Sequence, residues 1–213
     1  MDSKTLKALL AEFLGTFTLV FIGVTAVASN QGVLVAALAH GLVVVHAAYS
    51  YGHLSGAHLN PAVTLGLLAG GKIAPLTAGL YMVVQFVAGI VAALVANGLV
   101  GPGGQTAGAL TTSNIAAAAI FEGILTFVLV SVVFQAAVFD KAGKFAGLAI
   151  GLTLVACILA GGTYTGASLN PARTLGPALV AGDLSYLLPY LLAIFGGGAL
   201  GGLAQTYIVG DQR

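Results

Sequence analysis

Residues 55–66 read SGAHLNPAVTLG and residues 165–176 read TGASLNPARTLG, so nine of the twelve positions are identical. The two copies lie 110 residues apart in a chain of 213 residues. A motif that recurs at about half the chain length indicates an internal structural repeat. We therefore predict a single domain over 1–213, built from repeat halves at about 1–105 and 106–213.

The composition around these motifs is that of an integral membrane protein. Charged residues make up 6% of the chain and hydrophobic residues 59%, whereas a soluble domain carries about 25% charged residues. This excludes a soluble enzyme and a disordered chain, and a net charge of +1 argues against a nucleic-acid partner. The single cysteine, Cys157, excludes a disulfide framework and a thiolate metal cluster within the chain. We predict neither a metal site nor a cofactor.

Six apolar stretches are long enough to cross a bilayer, which takes about 20 helical residues. Two further stretches, 61–69 and 171–181, are about half that length and begin at Asn-Pro-Ala. Backbone at membrane depth cannot face lipid, so these short helices must be re-entrant and buried in protein. The predicted fold is therefore an all-α membrane protein with six transmembrane helices and two re-entrant half helices. The six full spans are expected at 8–29, 33–51, 76–98, 115–138, 145–163 and 186–208.

The positions of lysine and arginine predict the orientation in the membrane, because cytoplasmic loops carry an excess of both. If the first span runs outward, six of these residues fall on the cytoplasmic side and only Arg173 falls outside. Both termini are then cytoplasmic. Three crossings reverse the direction of the chain, so the halves form an inverted repeat whose half helices meet near mid-membrane. The six cytoplasmic residues are Lys4, Lys7, Lys72, Lys141, Lys144 and Arg213.

Each Asn-Pro-Ala triplet has the sequence of a helix start, with asparagine at the N-cap and proline at the first helical position. The capping oxygen accepts from the helix N–H groups, and the amide NH₂ faces away from the helix as a donor. Two such amides, together with two positive helix ends, would repel a cation and accept a neutral hydrogen-bonding molecule. The triplets are Asn60, Pro61 and Ala62, and Asn170, Pro171 and Ala172.

The chain resembles the aquaporin family, the major intrinsic proteins, over its whole length. The contexts SGAHLNPAVT and TGASLNPARTLGPA are highly specific for that family. The resemblance implies an aquaporin-like fold and a homotetramer in lipid, with one pore in each subunit. It implies a passive channel for water, with ammonia, urea or hydrogen peroxide as further neutral solutes and with protons and ions excluded. Because the chain has short termini and no transit peptide, we expect it in a prokaryotic plasma (inner) membrane.

Arg173 could be a rim arginine whose stem snorkels to the headgroups. Alternatively, it is a fixed cation at the narrowest part of a pore, where it would repel cations and hydronium. In the family, this arginine is one of four selectivity-filter residues, and counting from the two motifs places the others at His40, Ile158 and Ala167. The set is similar to that of several plant tonoplast intrinsic proteins. We expect a pore somewhat wider or less polar than a strict water channel, with the His40 ring offering one donor and one acceptor to permeating molecules.

Two glutamates lie inside predicted spans, where a carboxylate is costly and indicates function. A proton relay would favour a transporter. The symmetric placement of Glu12 and Glu122, again 110 residues apart, instead predicts structural buttresses that accept hydrogen bonds from the re-entrant loops, a role that the resemblance supports. His58, two residues before the first capping asparagine, is expected to line the cytoplasmic vestibule. Cys157 adjoins a filter position but should point about 100° away from it.

Three other functions are compatible with parts of the sequence. A secondary transporter can have inverted repeats, but it would need coupling groups at mid-membrane beyond the two glutamates. An intramembrane enzyme would need a catalytic constellation, and the four histidines lack His-Glu-x-x-His spacing. A glycerol or small-polyol facilitator is the strongest alternative. Facilitators usually have an aspartate after the filter arginine and a basic residue four positions further on, where this chain has Thr174 and Ala178, but the half-matched aromatic pair Tyr190-Leu191 leaves glycerol open.

Overall fold

The computed structural model describes residues 2–210, and all regular structure within them is helical. Arg213, which was assigned to the cytoplasmic side, lies outside the described residues. Six helices are long and apolar enough to cross a membrane, which confirms the predicted multi-pass fold. The first half contains α1 (Ser3–Ala28), α2 (Val33–Ser55), α3 (Pro61–Ala69) and α4 (Pro75–Val100). The second half contains α5 (Ala109–Ser113), α6 (Ile115–Val133), α7 (Ala146–Thr165), α8 (Pro171–Ala181) and α9 (Leu187–Gly210).

The half helices α3 and α8 begin and end at the predicted residues, because both have strong start and stop signals. Proline occupies the first position of each, and glycine follows the last residue of each, at Gly70 and Gly182. Several full spans extend a few residues beyond their apolar stretches. For example, α1 begins at Ser3 because the side chain of Asp2 accepts a hydrogen bond from the Thr5 N–H at 2.7 Å.

Two local features are absent from the sequence prediction. The short helix α5 lies in the third loop, where Gly101, Pro102 and the glycines that follow indicate only a turn. After α6 the chain continues as a π-helix over Phe134–Val138, which buries the Phe134 ring completely. The predicted fourth span therefore has the expected length, but its last turn is wound differently from an α-helix.

The packing of the helices follows the repeat. In the first half α1 packs against α2 and α4, and in the second half the equivalent helix α6 packs against α7 and α9. Each half helix packs against the last span of the other half, α3 against α9 and α8 against α4. Each half therefore completes the core of the other, and the starts of α3 and α8 are brought together at the centre.

The half helices come close to the spans because glycine stands at the contacts. A Cβ atom on Gly66 of α3 would lie 2.7 Å from the carbonyl oxygen of Gly198, and one on Gly89 of α4 would lie 2.6 Å from that of Ala172. Any side chain larger than hydrogen would push the helices apart. Such backbone-to-backbone packing is a main source of helix association in membranes.

Candidate pore

The two Asn-Pro-Ala triplets meet at the centre of the molecule. Asn60 and Asn170 cap α3 and α8, and both are at most 4% exposed. The Asn60 side-chain oxygen accepts the Ala62 N–H at 2.8 Å, and the Asn170 oxygen accepts the Ala172 N–H at 3.0 Å. The N-cap arrangement that the sequence predicts is therefore confirmed.

The NH₂ groups of these caps are not wholly available to a passing molecule, as the sequence had suggested. Asn60 Nδ2 donates to the Leu169 carbonyl oxygen at 2.8 Å, and Asn170 Nδ2 donates to the Leu59 carbonyl oxygen at 2.9 Å. An amide NH₂ has two hydrogens, so each cap uses one to link the repeat halves and keeps the second. Both asparagines line the central cavity, to which that second N–H is available.

The loops that precede the caps have an unfavourable backbone conformation at matching positions. In the first loop φ is 49° at Ala57 and 53° at Leu59, and in the second it is 42° at Ala167 and 54° at Leu169. A left-handed conformation costs a residue with a Cβ roughly 1–2 kcal/mol. A residue keeps this conformation only where several contacts with the surrounding structure hold it in place.

Glu12 supplies these contacts in the first half. Its Oε1 accepts from Ser55 Oγ at 2.6 Å and from the His58 N–H at 2.9 Å. Its Oε2 accepts from the Leu59 N–H at 2.8 Å and from Gln85 Nε2 at 2.8 Å. The residue is fully buried, and four donors offset the cost of placing a carboxylate there. This is the buttress arrangement predicted from the sequence.

Glu122 has the same relation to the second loop. It accepts from Thr165 Oγ1 at 2.7 Å and from the N–H groups of Ser168 and Leu169, both at 2.9 Å. It is also fully buried. The carboxylate therefore holds the strained residues before Asn170 as Glu12 holds those before Asn60.

Sequence reasoning missed the side chains that complete these two sites. Ser55 and Thr165 donate to the glutamates that precede them by 43 residues in both halves. The repeat offset carries that signal, because both positions have a hydroxyl. Gln85 could have been noticed as an amide inside an apolar span, where a polar side chain needs a partner.

A cavity of about 650 Å³ lies between the two halves. One wall is apolar, with side chains of α6 and α7 that include Leu129, Val133, Ile150 and Leu154. The opposite side has hydrogen-bonding groups from the re-entrant loops. A small polar molecule can therefore exchange hydrogen bonds with the re-entrant loops, whereas the α6 and α7 side chains offer it only apolar contacts. Polar residues in the lining include His40, His58, Asn60, Asn170 and Arg173.

Arg173 is held in a fixed position beside this cavity. Its Nε donates to His40 Nε2 at 3.0 Å, and its Nη1 donates to the carbonyl oxygen of Gly104 in the third loop. His40 Nδ1 lies 2.7 Å from the carbonyl oxygen of Ala36, so Nδ1 is the donor and Nε2 the acceptor. Both ring nitrogens are therefore used within the protein, contrary to the expectation that His40 offers them to permeating molecules. His40 orients Arg173 instead.

The other two predicted filter residues are packed among apolar side chains. Ile158 and Ala167 are each 4% exposed and belong to one apolar cluster with Leu154. Leu154 lines the cavity, whereas Ile158, one turn further along α7, is outside that lining. The structure thus brings His40 and Arg173 together at the cavity and places Ile158 and Ala167 in the packed wall beside it.

The remaining histidines and the cysteine differ in their surroundings. His58, which the sequence predicts in the cytoplasmic vestibule, lines the cavity, with Nδ1 3.1 Å from Thr64 Oγ1. His53 lies on the exposed end of α2, and His46 is near Ser50, with their side chains 3.4 Å apart. Cys157 is buried, with its sulfur 3.9 Å from the Leu125 carbonyl oxygen, and does not line the cavity.

Comparison with known proteins agrees with this arrangement. A family model described as Major intrinsic protein matches residues 1–205. The probable aquaporin TIP-type RB7-5A of Nicotiana tabacum is 41% identical, over 97% of this chain and 87% of that protein. Aquaporin NIP1-4 of Oryza sativa subsp. japonica is 38% identical, over 100% of this chain and 81% of that protein.

Similar proteins named for glycerol also occur. Glycerol uptake facilitator protein-like 6 of Lactiplantibacillus plantarum is 39% identical, over 88% of this chain and 91% of that protein. The X-ray structure of the aquaglyceroporin from Plasmodium falciparum superposes with a TM-score of 0.82 at 25% identity, covering 97% of this chain and 96% of that one. The chain is therefore similar to proteins of both descriptions.

Proposed function

Because the chain belongs to the major intrinsic protein family, the family of the aquaporins, and is a membrane channel and not an enzyme, we propose that its main permeant is water. The arrangement of Arg173 beside the cavity carries this proposal. A neutral molecule can accept hydrogen bonds from Arg173 and from the free N–H of each capping asparagine. A cation is repelled by Arg173 and by the positive ends of α3 and α8. Ammonia, urea and hydrogen peroxide are small and neutral, and we propose them as further solutes.

A glycerol facilitator is the second candidate, because one similar protein is named for glycerol uptake and the apolar wall of the cavity could contact a carbon chain. The residue after the arginine favours water. Thr174 is fully buried, and its hydroxyl donates to the carbonyl oxygen of its own cap, Asn170, and contacts Ser168 Oγ. It therefore adds neither a charge nor a free acceptor for a polyol beside Arg173.

The proposal is tested in liposomes that contain the purified protein, with vesicle shrinkage followed by stopped-flow light scattering. An impermeant osmolyte should reveal water permeability above that of empty liposomes, with low activation energy and no dependence on ion gradients. Glycerol and urea gradients on the same vesicles then rank the solutes. Glycerol flux as fast as water flux would favour the facilitator, and a saturable, ion-dependent flux would contradict a channel.

We also propose that both termini are cytoplasmic and that the channel lies in the plasma membrane. Because Cys157 is buried, cysteines introduced at the exposed residues Ser3 and Asp183 can report sidedness. A membrane-impermeant maleimide added to intact cells should label Asp183→Cys, and Ser3→Cys should be labelled only after lysis. The reverse pattern would invert the orientation, and protection of both sites in intact cells would place the channel in an internal membrane.

The proposed assembly is a homotetramer surrounded by lipid. Large apolar side chains are exposed along the outside of the bundle, such as Leu76, Leu99 and Leu192 at 66–76%. A surface of this kind must be covered by lipid or by another subunit. Native mass spectrometry from detergent should detect a species of four 21.1 kDa chains. Detection of the monomer alone would contradict the tetramer.

A further inference from the structure

We propose that the hydroxyl of Tyr190 is a positioning group for the selectivity region of the pore, because it joins the third loop to the end of α7. Tyr190 belongs to the last span, is fully buried and does not line the cavity. It therefore acts on permeating molecules only through other residues. The proposal rests on the proposed channel function and adds to it a determinant of solute selectivity.

The Tyr190 hydroxyl is the centre of a chain of hydrogen bonds with a fixed direction. It donates to the carbonyl oxygen of Thr165 at 2.9 Å and lies 2.7 Å from Thr111 Oγ1. Since its one hydrogen goes to Thr165, the Thr111 hydroxyl is the donor to Tyr190. Thr111 Oγ1 in turn accepts the N–H of Gly108 at 2.8 Å. Each donor has one acceptor, so the chain links Gly108 to Thr165 without an unsatisfied member.

One end of this chain reaches the second re-entrant loop. The side chain of Thr165 donates to Glu122 and accepts the N–H of Ala167 at 3.1 Å. Thr165 therefore connects the buried carboxylate to a residue that the sequence places in the filter. Fixing its carbonyl through Tyr190 fixes the last turn of α7 from which the loop departs.

The other end, at Gly108, lies in the third loop, and the same loop also holds Arg173. The third loop carries Gly104, whose carbonyl oxygen accepts from Arg173 Nη1. This loop lies directly against the end of α7, because a Cβ atom on Gly166 would be 2.6 Å from the backbone nitrogen of Ala107. A shift of the loop would therefore move the acceptor that holds the Arg173 guanidinium.

The third loop depends on this anchor because its own structure is weak. Its helix α5 has five residues and contains no buried side chain. A helix of that length is not stable alone in water or at a membrane surface. The conformational entropy lost in forming the first turn exceeds the stabilisation that its few hydrogen bonds provide. The bond from Thr111 to Tyr190 attaches α5 to the bundle.

Tyr186 provides a matched control. It is 1% exposed, it lies one turn before Tyr190, and the two rings pack edge to face at 5.2 Å. Its hydroxyl makes no hydrogen bond of good geometry within residues 2–210, but it lies beside Thr106 of the third loop. Phenylalanine at either position removes the same atom from a buried ring, but only at Tyr190 does it break the chain.

The experiment compares the urea-to-water permeability ratio of variants in proteoliposomes. The parent must first conduct water, and failure at that step would contradict the proposed function and not this inference. Tyr190→Phe removes both the bond to Thr165 and the bond from Thr111. It should raise the ratio by at least about fivefold, the factor that corresponds to one buried hydrogen bond, because Arg173 is then held less firmly. Tyr186→Phe should change it clearly less, because the contact of that hydroxyl with Thr106 lacks hydrogen-bond geometry. Thr111→Val should raise the ratio as Tyr190→Phe does, and Thr111→Ser should restore the parent value.

Three results would overturn the proposal. Equal effects of Tyr190→Phe and Tyr186→Phe would show that the effect does not come from the hydrogen bonds of Tyr190. An unchanged ratio in Thr111→Val would show that the loop is held in another way. In a double variant, Tyr190→Phe with Thr111→Val, an effect equal to the full product of the two single effects would show that the two groups act independently and share no bond. Should Tyr190→Phe not yield folded protein, the Thr111 variants decide by the same criterion.

Discussion

The loop before α3 and the loop before α8 have the same backbone but different chemistry. Both have positive φ at the same two positions, and both are held by a buried glutamate through two N–H groups and one hydroxyl. The residue three positions after the cap, however, is Val63 in the first copy and Arg173 in the second. The repeat therefore duplicates the backbone of the re-entrant loops, whereas the charge of Arg173 occurs in the second copy only.

The two loops also differ in what surrounds their carboxylates. Glu12 accepts a further bond from Gln85 of α4, whereas the position 110 residues later, in α9, is Phe195. Glu122 is instead connected through Thr165 to Tyr190 and the third loop. The first loop is thus supported from within its own half, and the second depends on the loop that also holds Arg173.

Removal of the carboxylates should produce the largest effect and tests whether the two supports are equivalent. Glu12→Ala leaves four donors without an acceptor, and Glu122→Ala leaves three. Because each buried unsatisfied donor costs roughly 1–3 kcal/mol of folding free energy, both variants should unfold at a lower temperature than the parent, and Glu12→Ala should be the less stable of the two.

Thermal unfolding in detergent, followed by circular dichroism, measures the unfolding midpoints of these variants. Glu12→Gln, which keeps one acceptor oxygen, is the control and should lie between Glu12→Ala and the parent. Unchanged midpoints would refute the buttress role.

Making the second loop like the first should have the next largest effect, now on selectivity. Arg173→Val gives both caps the same third residue and removes the charge at the cavity. We expect glycerol and urea permeability to rise about tenfold, the factor that corresponds to a charge-assisted hydrogen bond, with a leak of protons. Solute gradients and a pH-sensitive dye inside proteoliposomes measure the two effects. Lys144→Ala, at the other end of the cavity, is the matched loss of a cation. An equal rise in both variants would show that position does not matter.

The fold could be predicted closely because its signals are local and duplicated. Apolar length defines the spans, and the triplets place the starts of α3 and α8 at Pro61 and Pro171. The positions of the two glutamates relative to the loops follow from the repeat offset alone. Helix ends were less accurate, since a single cap such as Asp2 can lengthen a span.

The site could be predicted only in part, because its decisive contacts join residues that are far apart in sequence. The Arg173–His40 bond spans 133 positions, and the pairing appears only when α2 and α8 are brought together. The acceptor at Gly104 is a backbone carbonyl in an irregular loop, and no side chain marks it. The predicted filter positions therefore grouped His40 with Arg173, as the structure does, but gave the imidazole a different role from the one observed.

The His40–Arg173 pair is a smaller test of the same asymmetry. His40→Phe removes the acceptor of Arg173 Nε, so the guanidinium should be less well fixed, and the urea-to-water ratio should rise about fivefold. His40→Gln keeps a side-chain acceptor and should be closer to the parent. Adding Ile158→His to His40→Phe supplies a new imidazole from α7 and should lower urea flux while keeping water flux. Urea flux in that double variant as high as in His40→Phe would show that Ile158 does not border the constriction.

The smallest expected effect compares two alanines at equivalent positions of the loops. Ala57 lines the cavity, whereas Ala167 is 4% exposed and lies outside its lining. Both already have a Cβ atom at positive φ, so cysteine adds a sulfur at either place without further backbone strain. The pair therefore differs in access and not in conformation.

Mercuric ion should inhibit water flux in both cysteine variants, and Ala57→Cys should react faster because its sulfur meets the open cavity. The unmodified protein should resist, since its one thiol, Cys157, is buried in the packing between α6 and α7. Inhibition is measured by stopped-flow light scattering at increasing times after mercury addition, with recovery by a thiol reductant as the control. Rapid inhibition of the unmodified protein would mean that Cys157 is reached from the pore. Inhibition of Ala57→Cys without any effect on Ala167→Cys would mean that mercuric ion cannot reach residue 167 from the pore. The two loops would then differ in accessibility as well as in charge.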